Sequence, residues 1–303
     1  MIPVFHSIHP ASAAVSVGRP GRRGGFTLVE LMVVIVILGI LASLSLAGLA
    51  VTRQRARIAK TRSTIRKISE IITPHYESYL SRRVTANANS GGDRRALALE
   101  RLRALRFLLV TEMPDQWADV NGNAAITAPA RRYATYKAAL GNTLSPAYQS
   151  AECLAMIVSR GGFAPDAMEN FRTDEFGDID GDGAPEFHDG WGRPIAFIRW
   201  PSGYPGFSQT TPDPFDPMGV SGAGQGRDWA VTPLIYSPGP DESVNDPLSG
   251  TQSGYGLAGS LQNGWLSLPN LDTTRPNVNP LPGAFSDPVA ARDNITNLDL
   301  STN

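Results

Sequence analysis

The chain has 303 residues and a formal net charge of −1, with 18% charged and 42% apolar residues, which suits one large domain or two small ones. Its one cysteine, Cys153, excludes an internal disulfide. The charges are divided: residues 1–25 hold three arginines and no acid, residues 26–83 hold nine Lys/Arg against three Asp/Glu, and residues 84–303 hold fifteen against twenty-five, a net of −10. So acidic a body does not suit nucleic acid, which needs cations against its phosphates, and no nucleic-acid partner is favoured.

The first element in chain order is GRRGGFTLVELMVVIVILGILASLSL, Gly21–Leu46. From Phe26 to Val51 there is no Lys, Arg or Asp, and at 1.5 Å per residue roughly twenty helical residues cross a hydrocarbon core. A cleavable secretory signal would be cut after a shorter apolar stretch, at small residues. Here Arg19, Arg22 and Arg23 lead straight to Gly24-Gly25, so a cut there removes the leader and leaves the apolar helix in place. Glu30 is a carboxylate inside that run, and intramembrane ionisable groups need a partner. Gly39, Ser43 and Ala47 recur every four residues and would permit close helix approach.

The residues Gly25-Phe26-Thr27-Leu28-Val29-Glu30 and the helix behind them resemble the prepilin leader of type IV pilins and type II secretion pseudopilins. The resemblance implies cleavage between Gly25 and Phe26 by a prepilin peptidase, N-methylation of Phe26, and pairing of Glu30 with the Phe26 amine of a neighbouring subunit during assembly. It also implies a long N-terminal helix, half in membrane lipid and half packed on a head. The positive-inside rule leaves the orientation open, because Arg53, Arg55, Arg57, Lys60 and Arg62 crowd the far flank. The processing motif settles the expectation: a single-pass protein of the inner (cytoplasmic) membrane with its head exported to the periplasm or cell exterior.

Beyond the apolar run, Ile58, Ile65, Ile68 and Ile72 fall on one helical face, extended by Tyr76 and Tyr79, and Pro74 should kink or end the helix nearby. SGGDRRALALERLRALRFLLVTEMPD offers Asp93 as a cap, carries Leu97, Leu102, Leu105 and Leu109 in helical phase, and stops at Pro114. SPAYQSAECLAMIVSRGG reads as another helix ending at Gly161-Gly162, with Cys153 as a buried small side chain rather than a nucleophile. From Gly177 the segments RPIAFIRW, DWAVTPLIYS and GWLSL read as strands between turn formers. Pro269–Asn303 is polar and proline-rich and reads as loop.

One constellation carries chemistry. DIDGDGAPEFHDGWG places Asp178, Asp180 and Asp182 at alternate positions before Gly183, close to the calcium loop in which alternating carboxylates converge on a hard cation. The Ala184 carbonyl would join them and Asp189 would close the set, with calcium as the expected cofactor. DVNGNA (Asp119, Asn121, Asn123) has half the pattern, lacks the glycine, and reads as a plain turn.

HDGWGRPIAF (His188–Phe197) resembles the aspartate-proline-tryptophan-glycine turn and strand of the major pseudopilin of type II secretion, with Gly190 where that family has proline. LIYSPGPDESVND (Leu234–Asp246) resembles its calcium-binding loop, with Ser237, Asp241 and Asp246 as the second ligand set. The four histidines, His6, His9, His75 and His188, make no zinc spacing and no catalytic triad order, and no enzyme is expected.

The expected organisation is a removed leader (1–25), a transmembrane and stalk helix (26–82), a helical insert (83–176) and a β-rich head (177–303), an α+β pilin-like fold with its long helix packed on a small antiparallel sheet. The function implied is a structural subunit of a type II secretion pseudopilus. Its partners would be prepilin peptidase, identical or related pseudopilins, membrane lipid and an inner-membrane secretion platform. Two alternatives stand beside it: a type IV pilin for adhesion, motility or DNA uptake, and a membrane-tethered calcium-dependent binding module.

Overall fold

The computed structural model describes residues 25–84, 92–121, 128–141, 144, 148–201, 204, 213–220, 232–240, 285 and 290–300. The chain divides into two units, residues 1–51 and 52–303. One helix, α1 (Leu28–Ser78), supplies the described part of the first unit beyond Thr27 and opens the second.

Within the first unit, every described side chain is exposed, including the Leu, Ile and Val that fill most positions from Leu28 to Val51. So large an apolar surface requires lipid or other protein around it. Among the described residues this is the helix long and apolar enough to cross a membrane. Its polar groups are closed internally: the Ser43 and Ser45 hydroxyls each donate to a backbone carbonyl one turn back, Ile40 O and Leu41 O, at 2.8 Å. A hydroxyl satisfied in this way leaves nothing unpaired in hydrocarbon.

Within the second unit, α1 changes character without a break. Ile65, Ile68, Ile72, Tyr76 and Tyr79 are buried and Ile58 is half-buried, the face that the isoleucine spacing marks out. Pro74 does not stop the helix at once; it runs on to Ser78 and tightens into a 3-10 turn, Tyr79–Ser81. Proline removes one amide donor, and one further turn is tolerated because the Tyr76 and Tyr79 rings are held in the core. The flank is fastened by ion pairs, Lys60 to Asp174 at 2.7 Å and Lys67 to Glu175 at 2.8 Å. Burial would push the Glu175 carboxyl up, but hydrogen bonds from Lys67, the Thr64 hydroxyl and the Arg172 N–H outweigh it and hold the group below its ordinary value.

Four helices follow: α2 (Arg94–Glu112), α3 (Trp117–Asn121), α4 (Ala128–Leu140) and α5 (Gln149–Arg160). Asp93 caps α2 as expected, accepting from the Arg95 N–H at 2.8 Å, and the helix ends at Glu112, short of Pro114. Leu102, Leu105 and Leu109 are buried, whereas Leu97 is half-buried. α5 ends at Gly161, and Cys153 lies fully buried, its thiol pushed well above the ordinary value by burial, so it is packing and not a nucleophile.

The sheets are antiparallel. β1 (Phe176–Gly177) pairs with β2 (Glu186–Phe187), and β3 (Ala196–Ile198), β4 (Leu234–Ser237) and β5 (Ile295–Thr296) form a second sheet in that order. Phe187, Ile195, Phe197, Ile235 and Ile295 share one core with the α1 isoleucines. The α+β architecture expected from the sequence is therefore the one found. One difference lies at the C-terminus, where the stretch read as loop supplies β5 and a short helix, α6 (Asn297–Leu300). Asn297 anchors that end, its Oδ1 accepting from the Ile235 N–H at 2.9 Å and its amide donating to Pro233 O at 3.0 Å. The GWLSL segment lies outside the described residues.

A buried guanidinium knits the helices to the sheet. Arg199, 2% exposed, follows β3 and pairs with Asp115 at 3.2 Å and Asp119 at 3.0 Å, and donates to Met113 O at 2.7 Å. Two carboxylates and a backbone carbonyl thus share one cation, the condition under which buried charge is tolerable.

The turn Asp189–Gly192 seats on α1. A Cβ on Gly190 would stand 2.3 Å from Arg57 O and 2.7 Å from Arg57 Cα, and the Gly190 N–H donates to the Thr61 hydroxyl at 2.8 Å. Glycine is required by the first contact and a residue with a backbone N–H by the second. Gly190→Ala should therefore destabilise the folded chain by about 1–3 kcal/mol through overpacking against helix backbone. Thermal melting of the detergent-solubilised protein checks this, and an unchanged midpoint would mean that the turn lifts off α1 at little cost.

Candidate functional site

Two regions hold residues singled out by the sequence. The first is the start of α1. Phe26 is 86% exposed. Glu30 folds back on its own helix: its Oε2 accepts from the Thr27 N–H at 2.8 Å and from the Thr27 hydroxyl at 2.9 Å, while the Glu30 N–H donates to Thr27 Oγ1 at 3.2 Å. This is a reciprocal capping box, which satisfies amides that an α-helix N-terminus otherwise leaves open. The sequence signal was there, Thr27-x-x-Glu30 before an apolar run, but it was hidden beneath the reading of Glu30 as a partner for a neighbour's amine. Gly39 and Ser43 lie exposed along the same helix.

The second region is the acidic turn between β1 and β2. Glycine is needed where the chain turns left-handed, at Gly181 (φ 79°) and Gly183 (φ 97°). Asp178 organises the turn, accepting from the Gly181 N–H at 2.7 Å and the Gly183 N–H at 2.9 Å. Asp180 accepts from the Asp182 N–H at 3.3 Å, and Asp182 from the Ala184 N–H at 2.9 Å. Asp178, Asp180 and Asp182 each place a carboxylate oxygen within 4.8 Å of the others. Ala184 is buried behind them.

Asp189 stands apart from that group. Its Oδ1 accepts from the Trp191 N–H at 2.7 Å and the Arg193 N–H at 2.9 Å, and its Oδ2 from the Ser237 hydroxyl at 2.7 Å. Buried beneath the turn that seats on α1, it spends its oxygens on the protein itself. Ser237 is occupied in the same network, also accepting from the Gly239 N–H at 3.1 Å, and Asp241 and Asp246 lie outside the described residues.

Two residues that the sequence reading did not include meet Asp180 instead. Glu152, in the first turn of α5, and Glu186, on β2, each bring a carboxylate oxygen within 4.8 Å of each other and of Asp180. Both are essentially buried, at 1% and 0% exposure. Glu152 Oε2 accepts from the Trp117 indole N–H, and Glu186 Oε2 from the Ile179 N–H at 3.0 Å. Burial, with Asp182, each other and Asp180 adding to it, pushes Glu152 up to about 9; burial and the three loop aspartates push Glu186 up to about 8. No short-range pattern could have revealed this pair, since 34 residues separate its members.

Residues 21–46 match the family model of the prokaryotic N-terminal methylation motif. No curated protein and no solved structure matches the chain. The chain thus carries a type IV pilin-like prepilin motif, which supports processing by a prepilin peptidase, assembly into pilin-type filaments and membrane anchoring, and points to a structural protein.

The Asp189 network yields a prediction. Asp189→Ala strips acceptors from two backbone N–H groups and one hydroxyl, and should cost about 2–4 kcal/mol of stability at roughly 1–3 kcal/mol per buried unsatisfied donor, part of it regained by water. The loss should be the same in calcium and in chelator. Chemical denaturation in both conditions checks this, and a deficit confined to calcium would return Asp189 to a ligand role.

Proposed function

We propose that the chain is a structural subunit of a type II secretion pseudopilus. Prepilin peptidase cuts between Gly25 and Phe26 and methylates the new amine, and the helix crosses the inner membrane once with the head exported. Identical or related subunits then assemble on an inner-membrane secretion platform through their N-terminal helices. The observation that carries this reading is the methylation motif at 21–46, set at the head of an uninterrupted helix, Leu28–Ser78, whose first part is apolar and exposed and whose later part supplies core residues. Such a helix is an anchor before assembly and a filament core after it.

A type IV pilin for adhesion, motility or DNA uptake would use the same helix. The fragment His188–Phe197 favours the pseudopilus, because it folds as a tight turn leading into β3, the arrangement implied by its resemblance to the major pseudopilin. A subunit of this kind has no turnover of its own.

Mass spectrometry of the protein from membranes should find a mature chain beginning at methylated Phe26; a chain retaining residues 1–25 would overturn the reading. Two substitutions separate the capping and charge roles of Glu30. Glu30→Gln keeps an acceptor for Thr27 but removes the charge, whereas Thr27→Val keeps the charge and removes the hydroxyl cap. Cross-linking in membranes should show oligomer yield falling several-fold in Glu30→Gln and holding near normal in Thr27→Val. The reverse pattern would make Glu30 a helix cap and nothing more.

A further inference from the structure

The acidic corner of the head holds more than the turn pattern. Glu152 and Glu186 are buried, and in each the Oε1 oxygen has no hydrogen-bond partner. A buried carboxylate left short of partners is expensive, and buried charge is ordinarily paired or bound to metal. The same head handles another acidic pair in the usual way, with Arg199 between Asp115 and Asp119. Among the described residues no Lys or Arg forms an ion pair with Glu152 or Glu186. Each glutamate also brings one carboxylate oxygen into the group that converges on Asp180.

We propose that Glu152, Asp180 and Glu186 form the core of a calcium site, completed on its solvent side by Asp178 and Asp182. The spacing fits: oxygens on opposite sides of a calcium ion stand about 4.6–5.2 Å apart, twice the bond length, and the oxygens of each triad lie within 4.8 Å of one another. Asp180 belongs to both triads and so joins the buried glutamates to the exposed turn. The turn's own hydrogen bonds do not exhaust Asp178, because each of its oxygens accepts one N–H and keeps a second lone pair for a cation. All five donors are carboxylates, with no sulfur or imidazole among them, which selects a hard cation over zinc or copper. Five acids on a glycine turn, a strand and a helix suit the larger, irregular shell of calcium better than the rigid octahedron of magnesium. The ion would tie the β1–β2 turn to the first turn of α5. This site does not depend on the filament reading, and its ligand set differs from the turn pattern by exchanging Asp189 and the Ala184 carbonyl for two glutamates.

Calorimetric titration and thermal melting of the full chain in detergent micelles test it, with calcium chloride, magnesium chloride or chelator. The unmutated chain should bind calcium at about 0.1–1 mM, the range of extracellular modules, and melt higher in millimolar calcium than in chelator, with magnesium substituting poorly. Glu152→Gln and Glu186→Gln should each weaken calcium binding by roughly tenfold or more, since ligand charge sets affinity. In chelator both variants should melt no lower than the unmutated chain, because an amide needs neither proton nor cation, and this shows that they fold. Exposed Asp180→Asn should lose calcium binding with little change in the chelator melt. Absence of any calcium effect on the unmutated chain would mean that the glutamates simply hold protons. Full calcium affinity in both Gln variants would place the ion on the aspartates alone, and an equal response to magnesium would refute the choice of cation.

Discussion

One helix has to satisfy two solvents. From Leu28 to Val51 apolar side chains stand on every face and each described one is exposed; from Ile58 to Tyr79 one face is buried and the others carry charge. Both stretches belong to the one helix, Leu28–Ser78, and in the second of them Ile65, Ile68 and Ile72 set the buried face. The rest of the head follows from that face. The α2 leucines, Tyr133, the buried side of α5 and the inner residues of both sheets all complete the core that the isoleucines begin.

Two buried acidic groups in this head show how differently the same cost is met. At Arg199, one guanidinium answers two carboxylates and a carbonyl, and stacks 4.5 Å from the Trp200 ring. At Glu152 and Glu186 the helpers are an indole N–H and a backbone N–H, both neutral. Neutral donors offset part of the loss of hydration but do not cancel charge, and that is why burial pushes these two carboxyls up while Glu175, which faces Lys67, is held below its ordinary value.

What was legible in the sequence was local and periodic. The isoleucine face, the Asp93 cap, the end of α5 at Gly161 and the burial of Cys153 each follow from spacing or from a single residue's backbone preference. β5 was not legible because it is two residues, Ile295-Thr296, in a polar stretch, and it exists only by pairing with Tyr236 and Ser237. The acidic turn was legible as a turn but not in its membership. Alternating aspartates drew Asp189 into the set by position, although the seating of the next turn claims it, while Glu152 arrives from a helix that no spacing connects to the loop. That position 190 is glycine could be seen in the sequence, but the reason is a helix backbone more than 120 residues earlier.

That same contact has a mechanical side. A helix pulled along its axis passes force to the body around it through the groups that interlock with it, the buried side chains and any point where another segment keys into its backbone. Thr61 and the Arg57 backbone form such a key, with the Gly190 amide locked to one hydroxyl and its α-carbon too close to the helix to admit even a methyl group. A shift of one residue, about 1.5 Å, would break the lock or drive the carbonyl into the turn. Within residues 52–303, tension along α1 would therefore be borne in part at this notch, backed along the helix by the Lys60 and Lys67 ion pairs, so that the helix keeps its seat.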